Sequence, residues 1–358
     1  MMQMSEPMCD LTEIKQILEA TLLVAGACGG TTPAASSAPT VAASVAPTAT
    51  PTPIKIKSSY GNVTPANLAP FMAKELGLFE KRGLDVDLSL IDGGAPSAAA
   101  LVSGQTQVGN FGGTEAMSGF VAGSDMQVIA LFVPVTPWQF LAKSDYKTPA
   151  DLKGKVVGVA SVGGSAYVAA TESLKRLGLD PAKDVTIQAF GSTANLATAM
   201  LGGAAYAGPG HPPDTVKLLA GGFKVIYDLG AQQIPATDNC TIVLKSWADK
   251  NPQAVQSYVD AEIEAIAIAK KDKATTVPIL AKLLKLDTSK AEDAAALSQT
   301  YDFYVTTIFP SYPHPLVASF NSTRDTLVAT NAKVKDLDVT KVIEDKYVAD
   351  AEKRGVGK

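Results

Sequence analysis

Apolar and polar residues alternate along Leu84-Asp85-Val86-Asp87-Leu88-Ser89-Leu90-Ile91 for one strand length, and the alternation stops at Asp92-Gly93-Gly94. An Ala-rich run follows as far as Gly104. A period of two, a glycine turn and then an apolar run predict strand, turn and helix. The same order recurs. Val108-Gly109-Asn110-Phe111 leads into Gly112-Gly113-Thr114, Val156–Val159 into Gly163-Gly164-Ser165, and Val185–Phe190 into Gly191-Ser192-Thr193. In an open α/β sheet such turns gather at the carboxyl ends of the strands, where ligands bind. Glycine lets a ligand approach the backbone. A helix N-terminus adds free N–H groups and partial positive charge. Repeated turns of this kind predict a ligand cradle built largely from main chain.

Taken in order, the folded part starts at Ile54 with a short strand through Tyr60 and a loop at Gly61–Pro65. A helix is expected from about Ala66 to Lys81, with Leu68, Phe71, Met72, Leu76 and Phe79 on one face and Gly83 as a left-handed cap. The strand Leu84–Ile91 follows, then the helix Ala95–Ser103, the strand Gln107–Phe111 and the helix Thr114–Val121. Gln127–Val133 and Trp138–Lys143 are apolar strands. A helical turn at Thr148–Lys155 opens a second series: strand Val156–Ala160, helix Ser165–Leu177, strand Val185–Phe190, helix Ala194–Leu201, helix His211–Ala220 and strand Phe223–Leu229. A last strand spans Asn239–Lys245, and the remainder is helical with breaks at Pro278, Pro310, Pro313 and Pro315. The second series, about 150–235, is thus inserted into the first, with Trp138–Lys143 and Asn239–Lys245 as the crossings. The expected division is one lobe from 54–143 and 239–358, including the helical tail, and a second from 144–238. Two lobes joined by two crossovers form a hinge.

A length of 358 residues accommodates two such lobes. The net charge of −4 lacks the basic footprint of nucleic-acid binding. Cys9, Cys28 and Cys240 are too few and too scattered for a disulfide framework, and no CxxC or HxxxH spacing suggests a structural metal. No cofactor is expected. Ahead of Ile54, an apolar stretch at Ile17–Ala27 ends in Ala25-Gly26-Ala27-Cys28. This looks like a bacterial lipoprotein signal with Cys28 as the lipid-carrying residue. It departs from that pattern in having Ala25 where Leu is usual, Glu19 within the apolar run, and an acidic rather than basic start. A disordered cytosolic leader is the alternative. Residues 29–53 are uncharged and rich in Ala, Pro and Thr, the composition of an extended tether.

Five segments carry a family resemblance: the loop at Tyr60, KELGLFEKRGLDVDL at 74–88, ALVSGQTQVGNFGGTEA at 100–116, DLKGKVVGVASVGGSAYVAATESLKRLGLD at 151–180, and LATAMLGGAAYAGPGHPP at 196–213. In that order they resemble the substrate-binding proteins of ABC importers in the sulfonate, taurine, nitrate and thiamine-pyrimidine-precursor group. The resemblance implies a type II periplasmic-binding-protein fold, α/β and two-lobed, closing on a ligand. It further implies a small polar ligand, an ABC permease as partner, and an extracytoplasmic monomer held at the membrane by lipid on Cys28. The family usually shows Gly-x-Val-Asp-Ala after the helix at 194–201. Here Ala205 replaces the Asp, which questions the second-lobe wall of the pocket.

The first-lobe ligand candidates are Tyr60, Gly61, Asn62, Gly93, Gly94, Gly112, Gly113, Thr114 and Glu115; the second-lobe candidates are Gly163, Gly164, Ser165, Thr193, Asn195 and His211. Helix N-termini bind carboxylate, sulfonate or phosphate without a buried Arg, and Arg82 and Arg176 lie at charged helix ends that suit solvent. Ser165, Thr193 and Thr114 equally suit N-caps. Glu115 would repel a small anion. Either it points outward or the ligand carries a cationic or hydrogen-donating group. Tyr60, Phe111, Trp138 and Tyr167 could stack on a flat ligand or simply pack in the core. No nucleophile–base pair or acid pair has convincing context, so binding without turnover is expected. An enzyme on the same fold, of the pyrimidine-precursor or menaquinone-pathway type, and a ligand-sensing receptor subunit remain the alternatives.

Overall fold

The computed structural model describes residues 52–358, so the expected lipoprotein signal with Cys28, and nearly all of the tether, lie outside the described residues. The strands are β1 (Ile54–Tyr60), β2 (Leu84–Leu90), β3 (Val108–Phe111), β4 (Met126–Val135), β5 (Gln139–Lys143), β6 (Val156–Val159), β7 (Thr186–Ala189), β8 (Ala207–Gly210), β9 (Phe223–Asp228) and β10 (Pro235–Leu244). The helices are α1 (Leu68–Glu75), α2 (Gly94–Val102), α3 (Gly113–Val121), α4 (Ser165–Arg176), α5 (Thr193–Leu201), α6 (Asp214–Ala220), α7 (Lys245–Ala248), α8 (Pro252–Lys271), α9 (Lys273–Leu284), α10 (Ala291–Tyr301), α11 (Val317–Leu327) and α12 (Lys346–Arg354).

The strands form two five-stranded mixed sheets, in the orders β2-β1-β3-β10-β4 and β7-β6-β8-β5-β9. In each, three strands run parallel and the other two join antiparallel. Both sheets are covered on two faces, which is why β3 is buried throughout and reads without alternation. On the first sheet, Leu68 and Met72 of α1 pack with Tyr258, Val259 and Ile263 of α8, while Ala116 and Met117 of α3 pack with Phe320 of α11 on the other face. On the second sheet, Ala170 and Leu174 of α4 cover one face and Leu196, Met200 and Leu218 of α5 and α6 the other.

The chain changes sheet at 136–138, between β4 and β5, and returns at 229–234, between β9 and β10. The two crossings run side by side: Thr136 N–H donates to Ile234 O at 2.8 Å, and Leu229 N–H to Trp138 O at 2.9 Å. Sheet membership shifts the expected boundaries. The strand expected to cross at 138–143 pairs with β8 and β9 inside the second sheet, and the returning strand begins at Pro235 inside the first.

Three local expectations change as well. The helix expected to reach Lys81 stops at Glu75, because Gly77 takes φ +64° and a separate turn at Glu80–Arg82 ends in Gly83 at φ +73°. The segment Ala207-Gly208-Pro209-Gly210 is strand β8, ahead of a helix that starts at Asp214 rather than His211. Its composition lacks the β-branched and aromatic residues that mark strands. Small residues are needed there, since a Cβ on Gly208 would sit 3.0 Å from both Gly158 O and Met200 Sδ. Pro278 does not break α9: Leu280, Leu283 and Leu284 are buried beyond it and hold the helix across the missing hydrogen bond. Ala205, the position of the family's Asp, is fully buried beside Leu196, Met200 and Leu218 and belongs to the core.

A buried polar seam underlies the first sheet. The Tyr258 and Ser58 hydroxyls are 2.8 Å apart, Asn110 Nδ2 donates to Ser58 Oγ at 3.2 Å, and Thr241 Oγ1 donates to Glu262 Oε2 at 2.9 Å. Glu262 is fully buried with Oε1 unpartnered, and burial pushes its carboxyl well above the ordinary range.

Candidate functional site

A cavity of about 440 Å³ opens between the carboxyl ends of the two sheets. The loop after β1 supplies Gly61 and Asn62, the turn after β2 supplies Asp92, Gly93 and Gly94, and the turn after β3 supplies Gly112, Thr114 and Glu115. The opposite wall comes from Gly164 and Ser165 after β6, Ser192 and Thr193 after β7, and His211 after β8. The first crossing contributes Thr136 and Trp138, and the start of β10 contributes Ala236, Thr237, Asp238 and Asn239.

Four expected residues lie off the cavity lining. Tyr60 packs edge-on against Phe71, ring centroids 6.4 Å apart. Gly113 is buried against Thr237, where a Cβ would come within 2.5 Å. Gly163 takes φ +83° and faces Thr330 instead. Asn195 is exposed, its N–H bonded to the N-cap Ser192 Oγ at 3.2 Å. Phe111 and Trp138 do both things expected of them as alternatives: each is 3% exposed within the core and each lines the cavity. Tyr167 packs against the second lobe's core.

Glu115 points inward. It sits in the first turn of α3, where its carboxyl accepts from Thr114 Oγ1 at 2.6 Å. The same carboxyl fills the space in front of Gly94 and Gly112: a Cβ on Gly112 would stand 2.7 Å from Oε2, and one on Gly94 would collide with Oε1. A carboxylate of the protein itself therefore occupies the N-termini of α2 and α3, where an anionic ligand was expected. Burial raises its pKa, Thr114 and its own backbone N–H oppose this, and Asp238 adds a further upward push.

Asp238, on β10, also lines the cavity. Trp138 Nε1 donates to its Oδ1 at 3.3 Å. Burial raises its pKa against smaller opposing pulls from His211, Trp138 and Ser165. His211 is 4% exposed, its ring 4.6 Å from Trp138 and 5.9 Å from Tyr304, both edge-on. Its Nδ1 lies 3.0 Å from Pro212 O. Asp214 stands beside it, its carboxyl also raised by burial and drawn back by His211 and Lys217.

An amide chain fixes the third wall. Asn67 Nδ2 donates to Asn62 O at 2.9 Å and to Asn62 Oδ1 at 2.8 Å, which leaves Asn67 Oδ1 to accept from Asn239 Nδ2 at 3.0 Å. Asn239 is 3% exposed, lines the cavity and keeps an Oδ1 with no partner. Reading the sequence missed Asp238 and Asn239, because Pro235 reads as a turn and hides the first half of β10. Arg82 and Arg176 pair with Glu264 and Glu172, away from this cavity. Cys240 is fully buried next to Asp238 in β10, and burial together with Asp238 and Glu115 raises its thiol well above the ordinary range. No group of His, Cys, Asp or Glu among the described residues is arranged to hold a metal ion.

A family model described as NMT1/THI5 like matches residues 65–275. No curated protein sequence matches the chain. Among solved structures, the periplasmic aliphatic sulphonate binding protein SsuA from Escherichia coli is similar at TM-score 0.67 and 22% identity, covering 81% of this chain and 97% of that one. The alkanesulfonate-binding protein SsuA from Xanthomonas axonopodis pv. citri, bound to MOPS, is similar at TM-score 0.63 and 21% identity, covering 84% and 99%. The desulfurization enzyme DSZB is similar at TM-score 0.62 and 18% identity, covering 84% and 99%. The chain thus has the α/β periplasmic-binding-protein fold, with a helical C-terminal region, and that fold hosts both binders and enzymes.

Proposed function

Because the chain belongs to the NMT1/THI5-like family, we propose that it is an extracytoplasmic solute-binding protein of an ABC importer. It holds one small polar molecule between two lobes and releases it unchanged to a permease. The observation that carries this reading is the position of the cavity: its walls come from both sheets, and Thr136 and Trp138 of the first crossing and Ala236–Asn239, just beyond the second, line it between them. Two bodies joined by two short parallel segments can pivot about them, and a ligand touching both walls favours the closed arrangement by its differential affinity. We assign the first lobe to β1–β4, β10 and the C-terminal helices, and the second to β5–β9 with α4–α6. Ligand contacts are assigned to the cavity-lining residues Asn62, Glu115, Ser165, Thr193, His211 and Asp238, with backbone at Gly94, Gly112 and Gly164. The resemblance of the leader to a lipoprotein signal supports a lipid anchor at Cys28, with 29–53 as the tether.

The enzyme reading has one specific support, the desulfurization enzyme among the fold's neighbours. Against it, Cys240 is the free cysteine among the described residues and is sealed in β10 with a thiol held protonated. The experiment is native mass spectrometry of the freshly purified protein, followed by thermal-shift measurement with the released molecule. One bound small molecule recovered chemically unchanged after incubation, with a concentration-dependent rise in Tm, is the expected result. Its conversion to a new species would establish an enzyme instead. Gly164→Val and Ser165→Val are expected to remove the Tm rise while leaving the free protein folded, since a Cβ at Gly164 meets only the Ser161 hydroxyl, at 2.6 Å.

A further inference from the structure

We propose that the ligand is a small organic cation, carrying a protonated nitrogen with at least two N–H donors, and that Glu115, Asp238 and Asn239 Oδ1 receive it. This deepens the solute-binding reading and rests on it. The cavity is poor in positive charge. Its lining contains the carboxyls Asp92, Glu115 and Asp238, while the basic residues are His211 and Lys285. No arginine among the described residues lines it. A sulfonate or phosphate placed against α2 and α3 would have to displace the Glu115 carboxyl, which lies in front of Gly94 and Gly112.

The cavity wall also holds an unsatisfied acceptor. Asn239 lines the cavity, and its Oδ1 is buried with no hydrogen-bond partner among the described residues, its orientation fixed by the Asn62–Asn67–Asn239 chain. A buried acceptor without a donor is destabilising, so the site suits a ligand that donates. Glu115 and Asp238 add acceptors to the same lining. Phe111 and Trp138 line the same space. Aromatic faces attract a desolvated cation and do nothing comparable for an anion. An acidic or neutral far end of the ligand can rest on the second lobe, where α4 and α5 begin at Gly164 and Ser192. The class is decided at the first-lobe end.

Burial supports the same choice. It pushes both Glu115 and Asp238 toward the protonated form in the free protein. A cation reverses this, so binding should release protons and tighten as pH rises through the range where these carboxyls ionise. The titratable groups facing them are His211, Tyr304, Cys240 and each other.

The test uses matched probe sets on the full chain: primary amines, amidines and guanidines such as benzamidine, against sulfonates and carboxylates of equal size without a basic nitrogen, such as benzenesulfonate. Thermal shift finds binders, and isothermal titration in two buffers of different ionisation enthalpy counts protons. The expected result is a Tm rise confined to cations, proton release on binding, and a loss of affinity of tenfold or more in both Glu115→Gln and Asp238→Asn. Binding of a nitrogen-free anion, silence of all the cations, or unchanged affinity in both variants would overturn the proposal. The first of these leaves the importer reading standing with a different cargo. Turnover of a bound cation removes the importer reading and leaves the ligand class intact.

Discussion

At the residue scale, Glu115 lines the cavity, and its stability effect is separable from ligand binding. Its folded pKa is raised, so between the ordinary carboxylate range and that raised value the folded protein holds a proton that the unfolded chain has lost. Stability from this group therefore falls as pH climbs, and the cost is complete once the folded carboxyl ionises. Glu115→Gln removes the titration. In the ligand-free state the variant is expected to gain stability relative to the parent on going from pH 4 to pH 8, measured by urea unfolding at both pH values; a gain that shrinks with pH would refute the assignment. Glu262 behaves similarly, its carboxyl raised by full burial against the opposing hydrogen bond from Thr241. Thr241→Val should cost about 1–3 kcal/mol by leaving Oε2 bare, with no change in ligand affinity. Glu115 was legible as a problem in the sequence, an acid in a glycine-rich anion cradle. That its carboxyl turns back onto Gly94 and Gly112 was not, because spacing along a chain does not say where a side chain in the first turn of a helix points.

At the element scale, the strand–glycine–helix units were readable because alternation and turn chemistry are local signals. β1, β2, β3, β6 and β7 all end near the positions that their glycines mark. The failures share a cause. β8 is made of residues chosen for how closely β6 and α5 approach, and β10 begins at a proline, so tertiary packing wrote both against local propensity. This gives a test at Gly208. A Cβ there would press on backbone, Gly158 O, and on Met200 Sδ, each at 3.0 Å. Gly208→Val should destabilise by about 1–3 kcal/mol through overpacking, read as a lower urea midpoint. Gly94→Val differs, because the side chain it meets is the movable end of Glu115. Its fold should survive, and its ligand affinity should drop.

At the scale of the whole molecule, the two sheets and their crossings make ligand occupancy visible from outside. Trp138 lies in a crossing and lines the cavity, whereas Trp247 packs partly buried against the first lobe's core. Ligand addition should change the emission of Trp138, and Trp138→Phe should abolish the change while Trp247→Phe keeps it. Closure should also lower the radius of gyration in small-angle scattering; a saturating ligand that leaves it constant would rule out pivoting. The insertion of one strand–helix series into the other was legible, and the second sheet's strands all fall between β4 and β10. The sheet to which each flanking strand belongs was not, because β5 and β10 are apolar strands whose sheet membership depends on pairing and not on composition.

One strand joins these scales. β10 leaves the returning crossing at Pro235, pairs with β4 while it carries Asp238 and Asn239 past the cavity, and from Cys240 lies between β3 and β4. Its two ends should therefore exchange amide hydrogens with deuterium at very different speeds. The half paired on both sides is locked by the sheet at all times, while the 235–239 half is guarded by a single neighbour until a ligand arrives. Slowed labelling of that short peptide alone would report loading, in a native membrane extract as readily as in a cuvette.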